Sequence, residues 1–202
     1  MPARKASPSA SSSAPRATYV ALLRGINVGG KNKLPMAELS AMFVGAGCAG
    51  VQTYIQSGNV VFEAPAAIAD AVPGRIERAI ADRFGYRIPV VMRTAGDLAA
   101  VVQDNPFLAG GLAGGADPAT LHVVFLAGEP DAARLAALDP DRSPPDEMRA
   151  RGRHLYLRCP EGFARTRITS AYLDATLATT TTVRSWRTVE KLAALASPAS
   201  RA

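Results

Sequence analysis

The chain has 202 residues, of which 48% are hydrophobic and 20% are charged, so it can form one mid-sized domain or two small ones with a real core. It has no apolar run long enough for a transmembrane helix and begins without the apolar segment of a secretory signal, so we expect a cytoplasmic location and no membrane partner. The net charge of +6 overstates the basicity of the body. Without the four basic residues of the two ends, 19 cations face 17 acids, about +2, so the overall charge does not argue for nucleic-acid binding.

The first part of the chain predicts a tail followed by six regular elements. Residues 1–17 are rich in Ser, Ala and Pro, which is typical of a disordered segment, and their cations predict only weak electrostatic attraction to nucleic acid. Apolar periodicity and turn residues then predict the order strand, helix, strand, strand, helix, strand. These elements are strand 18–24, a helix opening at Pro35, strands 51–55 and 59–63, a helix over 68–84 with Pro73 and Gly74 as the alternative marker of its start, and strand 88–93.

The second part of the chain repeats this order after a connection. Helix 95–103 and the glycine-rich segment 110–115 form the connection. The elements that follow are strand 121–126, helix 131–138, strands 147–151 and 154–158, helix 168–177, strand 180–184 and a final helix 186–195.

The element order predicts an α+β fold of two tandem ferredoxin-like (βαββαβ) subdomains with antiparallel sheets. We place the first subdomain at residues 18–94, the second with its extra helices at 95–196, and a disordered tail at 197–202. Strand 18–24 is apolar on both faces, which indicates that both sides of its sheet are covered. An open RNA-stacking platform is therefore disfavoured.

Two polar turns are the strongest candidate for a site. One follows strand 18–24 and reads RGINVGGKNK, and the other precedes strand 59–63 and reads QSGN. In a 4-1-3-2 strand order the first and third strands are antiparallel neighbours, so the two turns are expected to meet. The predicted ligand-binding residues are Arg24, Gly25, Asn27, Gly29, Gly30, Lys31, Lys33, Gln56, Ser57 and Asn59.

The chemistry of this corner suits an anion. Successive glycines allow backbone N–H groups to converge, while Arg24 and Lys31 supply positive charge and the amides of Asn27 and Asn59 supply donors. The alternative is that these residues only form two tight turns, with Asn59 as a turn cap. Residues alone leave both interpretations open.

Other chemistry is poorly represented in the sequence. The stretch from Gly25 to Lys31 nearly matches a nucleotide phosphate loop, but Asn32 replaces the magnesium-binding hydroxyl and Pro35 places the helix start beyond the lysine. No catalytic set, cofactor motif or metal-ligand spacing is visible, so we expect no metal and no cofactor. Secondary site candidates are Arg184 and Trp186, although a tryptophan at this position is more typical of a core.

Three segments carry a resemblance to a known family. Residues 19–39 (YVALLRGINVGGKNKLPMAEL), 51–62 (VQTYIQSGNVVF) and 182–192 (TVRSWRTVEKL) resemble an uncharacterised bacterial family known as domain of unknown function 1697. The resemblance spans about residues 18–196 and implies two ferredoxin-like subdomains with no established activity, substrate or cofactor. In the family's late motif, T-x-R-N-W-x-T, Ser185 takes the place of the asparagine.

The resulting hypothesis is an uncharacterised protein that binds a small anionic ligand or phosphorylated metabolite at the corner formed by residues 24–33 and 56–59. Two alternatives remain open. The protein is an enzyme with an active site between the two subdomains, or it is a regulatory or interaction module whose protein partners are unknown.

Overall fold

A computed structural model describes residues 15–108 and 115–200 of the chain. The predicted tail lies outside these ranges up to residue 14, and so does the glycine-rich connection over residues 110–114. Within the predicted C-terminal tail, Pro198–Ser200 form a short 3-10 turn, and residues 201–202 lie outside the described part.

The first half follows the predicted order with one division. Its elements are β1 (Arg16–Leu23), α1 (Met36–Gly45), β2 (Ala49–Tyr54), β3 (Asn59–Pro65), α2 (Ala66–Ala69), α3 (Val72–Phe84) and β4 (Val90–Thr94). The predicted helix 68–84 is thus two helices. Pro73 occupies the first turn of α3, where a missing N–H costs no helical hydrogen bond. Pro35 has an extended ψ of 136° and stands immediately before α1 rather than inside it.

The second half contains α4 (Ala95–Gln103), β5 (Leu121–Leu126), α5 (Ala132–Ala136), β6 (Glu147–Arg151), β7 (His154–Arg158), α6 (Ser170–Leu177), β8 (Thr181–Ser185) and α7 (Trp186–Ala196). Side-chain caps determine where several helices begin, because the first backbone N–H groups of a helix need acceptors. Thr94 and Asp97 form a reciprocal capping box at α4. Asp131 caps α5 and Thr169 caps α6.

The described residues form two four-stranded antiparallel sheets with seven α-helices. The strand orders are β2-β3-β1-β4 and β6-β7-β5-β8. Leu22 of β1 lies opposite Asn59 of β3, and Phe125 of β5 lies opposite His154 of β7. The end of the first strand in each half therefore adjoins the turn before the third strand, as the predicted strand order requires.

Both faces of the first sheet are covered, as the apolar pattern of β1 predicts. Ala21 and Leu23 pack in an outer core with α1 and α3, whereas Val20 and Leu22 pack in a central core. The central core also contains residues of the second sheet, α4 and α7. The two halves therefore share buried surface. Within the described ranges, no helix is both long and apolar enough to cross a membrane.

Candidate functional site

The two polar turns meet in the folded chain. The backbone N–H of Leu23 donates to the carbonyl oxygen of Gly58 over 2.8 Å, and the Asn27 Nδ2 group donates to the carbonyl oxygen of Gln56 over 2.9 Å. Gly58 has a φ of +77°, and a Cβ atom there would lie 2.7 Å from the Cβ of Leu23. Glycine is required at this crossing by both its conformation and its size.

The first turn is a compact loop in which several polar groups hydrogen-bond to one another. The N–H of Lys31 donates to the carbonyl of Val28 over 3.0 Å, closing a turn at Gly29 and Gly30, both of which have positive φ. The Asn27 Oδ1 atom accepts from the N–H of Leu34 over 2.8 Å, and its Nδ2 group donates to the Leu34 carbonyl over 3.0 Å. Asn27 therefore fixes the loop instead of presenting an amide to a ligand.

Asn59 is also committed to the protein interior. It is fully buried, and its Nδ2 group donates to the Tyr54 carbonyl over 3.2 Å and to the Ser57 hydroxyl over 2.9 Å. Its Oδ1 atom accepts from the Arg184 Nε group over 2.5 Å. The prediction that Asn59 faces a ligand needs correction, because all of its donors are used inside the fold.

The predicted corner is divided between two surface regions. Asn27, Gly30, Lys33 and Gln56 line a depression of about 490 Å³ on one side of the loop. Arg24, Gly25, Ser57 and Arg184 line a separate cavity of about 640 Å³, which lies between the first-half turns and the β8–α6 region of the second half. We call this cavity the inter-sheet cleft. Lys31 is exposed and lines neither region.

Arg184 is the central charge of the inter-sheet cleft. Only 8% of its surface is exposed, and its Nη2 group reaches across to the carbonyl of Leu23 over 2.6 Å. Its Nη1 group donates to the Thr182 hydroxyl and the Val183 carbonyl, each over 2.8 Å. No carboxylate of the described residues pairs with it, and burial lowers its pKa to about 10. Arg184 thus remains a cation surrounded only by neutral acceptors.

Arg24 forms the wall of the cleft opposite α6. Its Nη1 group donates to the Asp174 Oδ2 atom in an ion pair between the two halves. The other oxygen of Asp174 accepts from the N–H and the hydroxyl of Thr181, over 2.9 and 2.7 Å. Asp174 is therefore held in place, and it positions the Arg24 guanidinium at the edge of the cleft.

Two helix beginnings and a set of hydroxyl groups complete the cleft. Thr169 and Ser170 stand at the start of α6, and Ser185 and Thr188 stand at the start of α7, where the helix carries a partial positive charge. The Ser185 and Thr188 hydroxyls lie 3.0 Å apart. The hydroxyl-bearing residues lining the cleft are Ser57, Thr166, Thr169, Ser170, Thr182, Ser185 and Thr188.

Sequence reasoning missed the contribution of α6. The cleft residues at the start of this helix are Thr166, Thr169 and Ser170. The sequence offers only a weak signal for them, a Thr-rich run before a predicted helix. The late motif was a better signal, since Thr182, Arg184 and three neighbouring positions were already singled out by resemblance. Of that motif, Trp186 does not reach the cleft, because it is 1% exposed and packs in the central core.

The lining of the cleft contains no imidazole, carboxylate or thiol group among the described residues. Cys48 and Cys159 are buried and free, and burial raises the pKa of Cys159 to about 11. In the part of the chain that the structure describes, no three His, Cys, Asp or Glu side chains are grouped as metal ligands. The arrangement is suited to holding an anion and supplies no evident proton-transfer group.

Comparison with known proteins identifies the family. Residues 17–156, well over half of the chain, match the family described as "Protein of unknown function (DUF1697)". The chain belongs to this family. Its fold is similar to that of the conserved bacterial protein SP0830 from Streptococcus pneumoniae, with 24% identity and a TM-score of 0.68 over 91% of this chain and 100% of that one. No match is found among functionally curated proteins.

Proposed function

We propose that this protein binds a small anionic ligand bearing a phosphate group, and that it does so in the inter-sheet cleft. The observation that carries the proposal is Arg184, a buried cation on the cleft wall with no acidic partner among the described residues. All three guanidinium nitrogens of Arg184 already donate to neutral protein acceptors, so Arg184 would act on a ligand through its charge and not through a direct hydrogen bond. A buried charge is costly unless it is compensated, and a bound anion would provide the missing negative charge.

Three further features support an anion at this place. Arg24 is anchored by Asp174 through one guanidinium nitrogen only, which leaves its other N–H groups for a ligand. The first turns of α6 and α7 both line the cleft, and helix N-termini favour negative charge. Hydroxyl groups from both halves supply neutral donors. Because no acid–base residue from the described part of the chain lines the cleft, binding is favoured over the enzyme alternative.

The fold and location form part of the same proposal. Read from its β4 edge, the first sheet has the order 4-1-3-2, and the second sheet repeats it, which supports two tandem ferredoxin-like units. A cytoplasmic location is supported by the two buried thiols, which form no disulfide.

Titration calorimetry with inorganic phosphate at low ionic strength tests the proposal. We expect saturable binding to the wild type and at least about fivefold weaker binding to Arg24→Gln, since a charge-assisted contact contributes on the order of 1 kcal/mol or more. Lys33→Gln is the matched control, because Lys33 lies in the separate depression and not in the cleft. Equal affinity of wild type and Arg24→Gln would exclude the cleft. Loss of binding in Lys33→Gln alone would place the anion at the other side of the loop.

A further inference from the structure

The inter-sheet cleft has more room and more apolar surface than an isolated phosphate uses. Its volume of about 640 Å³ lies in the range of sites for drug-sized molecules. Ile26 and Val28 line it from the first half, and Phe163 and Ile168 line it from the second half. The polar groups described above are thus accompanied by apolar side chains on both walls.

Phe163 is the only aromatic residue on the cleft wall among the described residues, and it is held in a defined orientation. It begins the short turn Phe163–Arg165, immediately after Gly162 with a φ of +91°. Its ring stacks on the His122 imidazole with centroids 4.5 Å apart and an interplanar angle of 24°. His122 covers one ring face, and the side chain also packs against a core of the second half that contains Ile168, while the half-buried ring still borders the cleft.

Val28 lines the cleft from the opposite half and is 63% exposed, although it is fully apolar. It stands at the base of the Gly29–Gly30 turn, which holds it out from the core. A planar apolar group placed between Val28 and Phe163 would remove both surfaces from water, which is favourable in proportion to the apolar area covered.

We infer that the ligand is a phosphate ester carrying a planar aromatic group, of the nucleoside monophosphate class. This inference rests on the proposed function, because it uses the same cleft and the same cations. The phosphate group is bound near Arg24 and the starts of α6 and α7. The aromatic group stacks on Phe163, extending the stack that Phe163 already makes with His122.

The free energy of stacking is large enough to distinguish an aromatic phosphate ester from a simpler anion by its affinity. A base stacked on an aromatic side chain gains enough free energy to tighten binding roughly fivefold to a hundredfold. An aliphatic phosphate ester gains only the electrostatic part of the interaction. Aromatic and aliphatic esters of equal charge are therefore the right pair to compare.

The experiment measures binding of AMP, glycerol 3-phosphate, inorganic phosphate and adenosine to the full chain by titration calorimetry. We expect AMP to bind about tenfold or more tightly than glycerol 3-phosphate, and adenosine to bind more weakly than AMP. Phe163→Leu, which keeps an apolar side chain, should reduce AMP affinity to that of glycerol 3-phosphate and leave phosphate affinity unchanged. Phe84→Leu is the control, because Phe84 lines the separate depression.

The outcomes separate this inference from the proposed function. If phosphate binds and AMP binds no more tightly than glycerol 3-phosphate, the aromatic class is excluded while the anion site stands. The same exclusion follows if Phe163→Leu and Phe84→Leu change AMP affinity equally. If neither phosphate nor any ester binds, the proposed function itself fails. Far-ultraviolet circular dichroism and a urea titration establish that each variant is folded.

Discussion

Replacement of Gly58 by alanine should destabilise the fold more than the same change at a glycine of equal backbone conformation. Gly58 and Gly30 have φ values of +77° and +76°, so both substitutions impose the same left-handed strain, about 1–2 kcal/mol. At Gly30 nothing lies within 4 Å of the new Cβ. At Gly58 the new Cβ would lie 2.7 Å from the Cβ of Leu23 and 3.0 Å from the Cδ1 of Ile26.

The steric difference between these sites sets the expected magnitude. The Cβ of Leu23 is attached to the backbone of a buried strand, so it cannot move aside as a flexible chain end would. Forced overlap in a packed region costs about 1–3 kcal/mol. We therefore expect Gly58→Ala to lower the free energy of unfolding by about 2–5 kcal/mol and Gly30→Ala by about 1–2 kcal/mol.

Urea denaturation followed by the fluorescence of Trp186 measures both values. Trp186 is the single tryptophan and is 1% exposed, so its emission reports loss of the central core. Equal destabilisation by the two substitutions would refute the argument, because it would mean that the two polar turns do not meet at Gly58 as closely as the structure has them.

Other consequences of burial are directly measurable. Asn59→Ala should cost about 2–4 kcal/mol in the same urea assay, because it leaves the buried Arg184 Nε group without its acceptor; a loss below about 1 kcal/mol would contradict this. Burial, and next the charge of Arg93, lowers the pKa of His154 from 6.5 to about 4. Because the unfolded chain then binds a proton that the folded chain does not, stability should fall by about 2–3 kcal/mol from pH 7 to pH 4, and His154→Gln should flatten this fall. Cys159 should react with a thiol reagent at pH 8 only after unfolding, since burial raises its pKa to about 11.

The regular elements could be predicted because their signals are local. Helix 95–103 and strands 121–126, 147–151 and 154–158 have the predicted bounds, and each is delimited by apolar periodicity or turn residues. The contact between the turns at Gly25 and Gly58 was also predictable, since it depends only on the strand order within one half. Once the strand order of one half is known, this long-range contact follows from elements that were each predicted locally.

The remaining part of the candidate site depends on information that no local pattern contains. The amide of Asn59 is chemically suited to bind a ligand. Only the folded structure shows that Asn59 is buried and that its oxygen accepts from Arg184. Lys33 belongs to the right loop but lies on the side facing away from the cleft. The contribution of Thr169 and Ser170 requires the relative placement of the two halves, which the separate element orders leave undetermined.

A reciprocal exchange of arginines shows how that placement is fixed. Arg184 of β8 donates to the Leu23 carbonyl at the end of β1 and to Asn59, the first residue of β3. Arg93 of β4 makes the matching contacts in the other half. It donates to the Leu126 carbonyl over 2.6 Å, to the Arg153 carbonyl over 2.8 Å and to His154 Nε2 over 3.1 Å. Each half therefore inserts one buried cation into the equivalent corner of the other.

The two corners differ in the residue that accepts from the arginine Nε group. The amide of Asn59 does not titrate, so acidification leaves the hydrogen bond from Arg184 to Asn59 unchanged. His154 accepts only while it is neutral, so protonation would remove its acceptor and place a second cation against Arg93. The inter-sheet cleft lies at the corner with the asparagine acceptor. A loss of stability at acid pH is therefore expected from the opposite corner, where His154 accepts from Arg93.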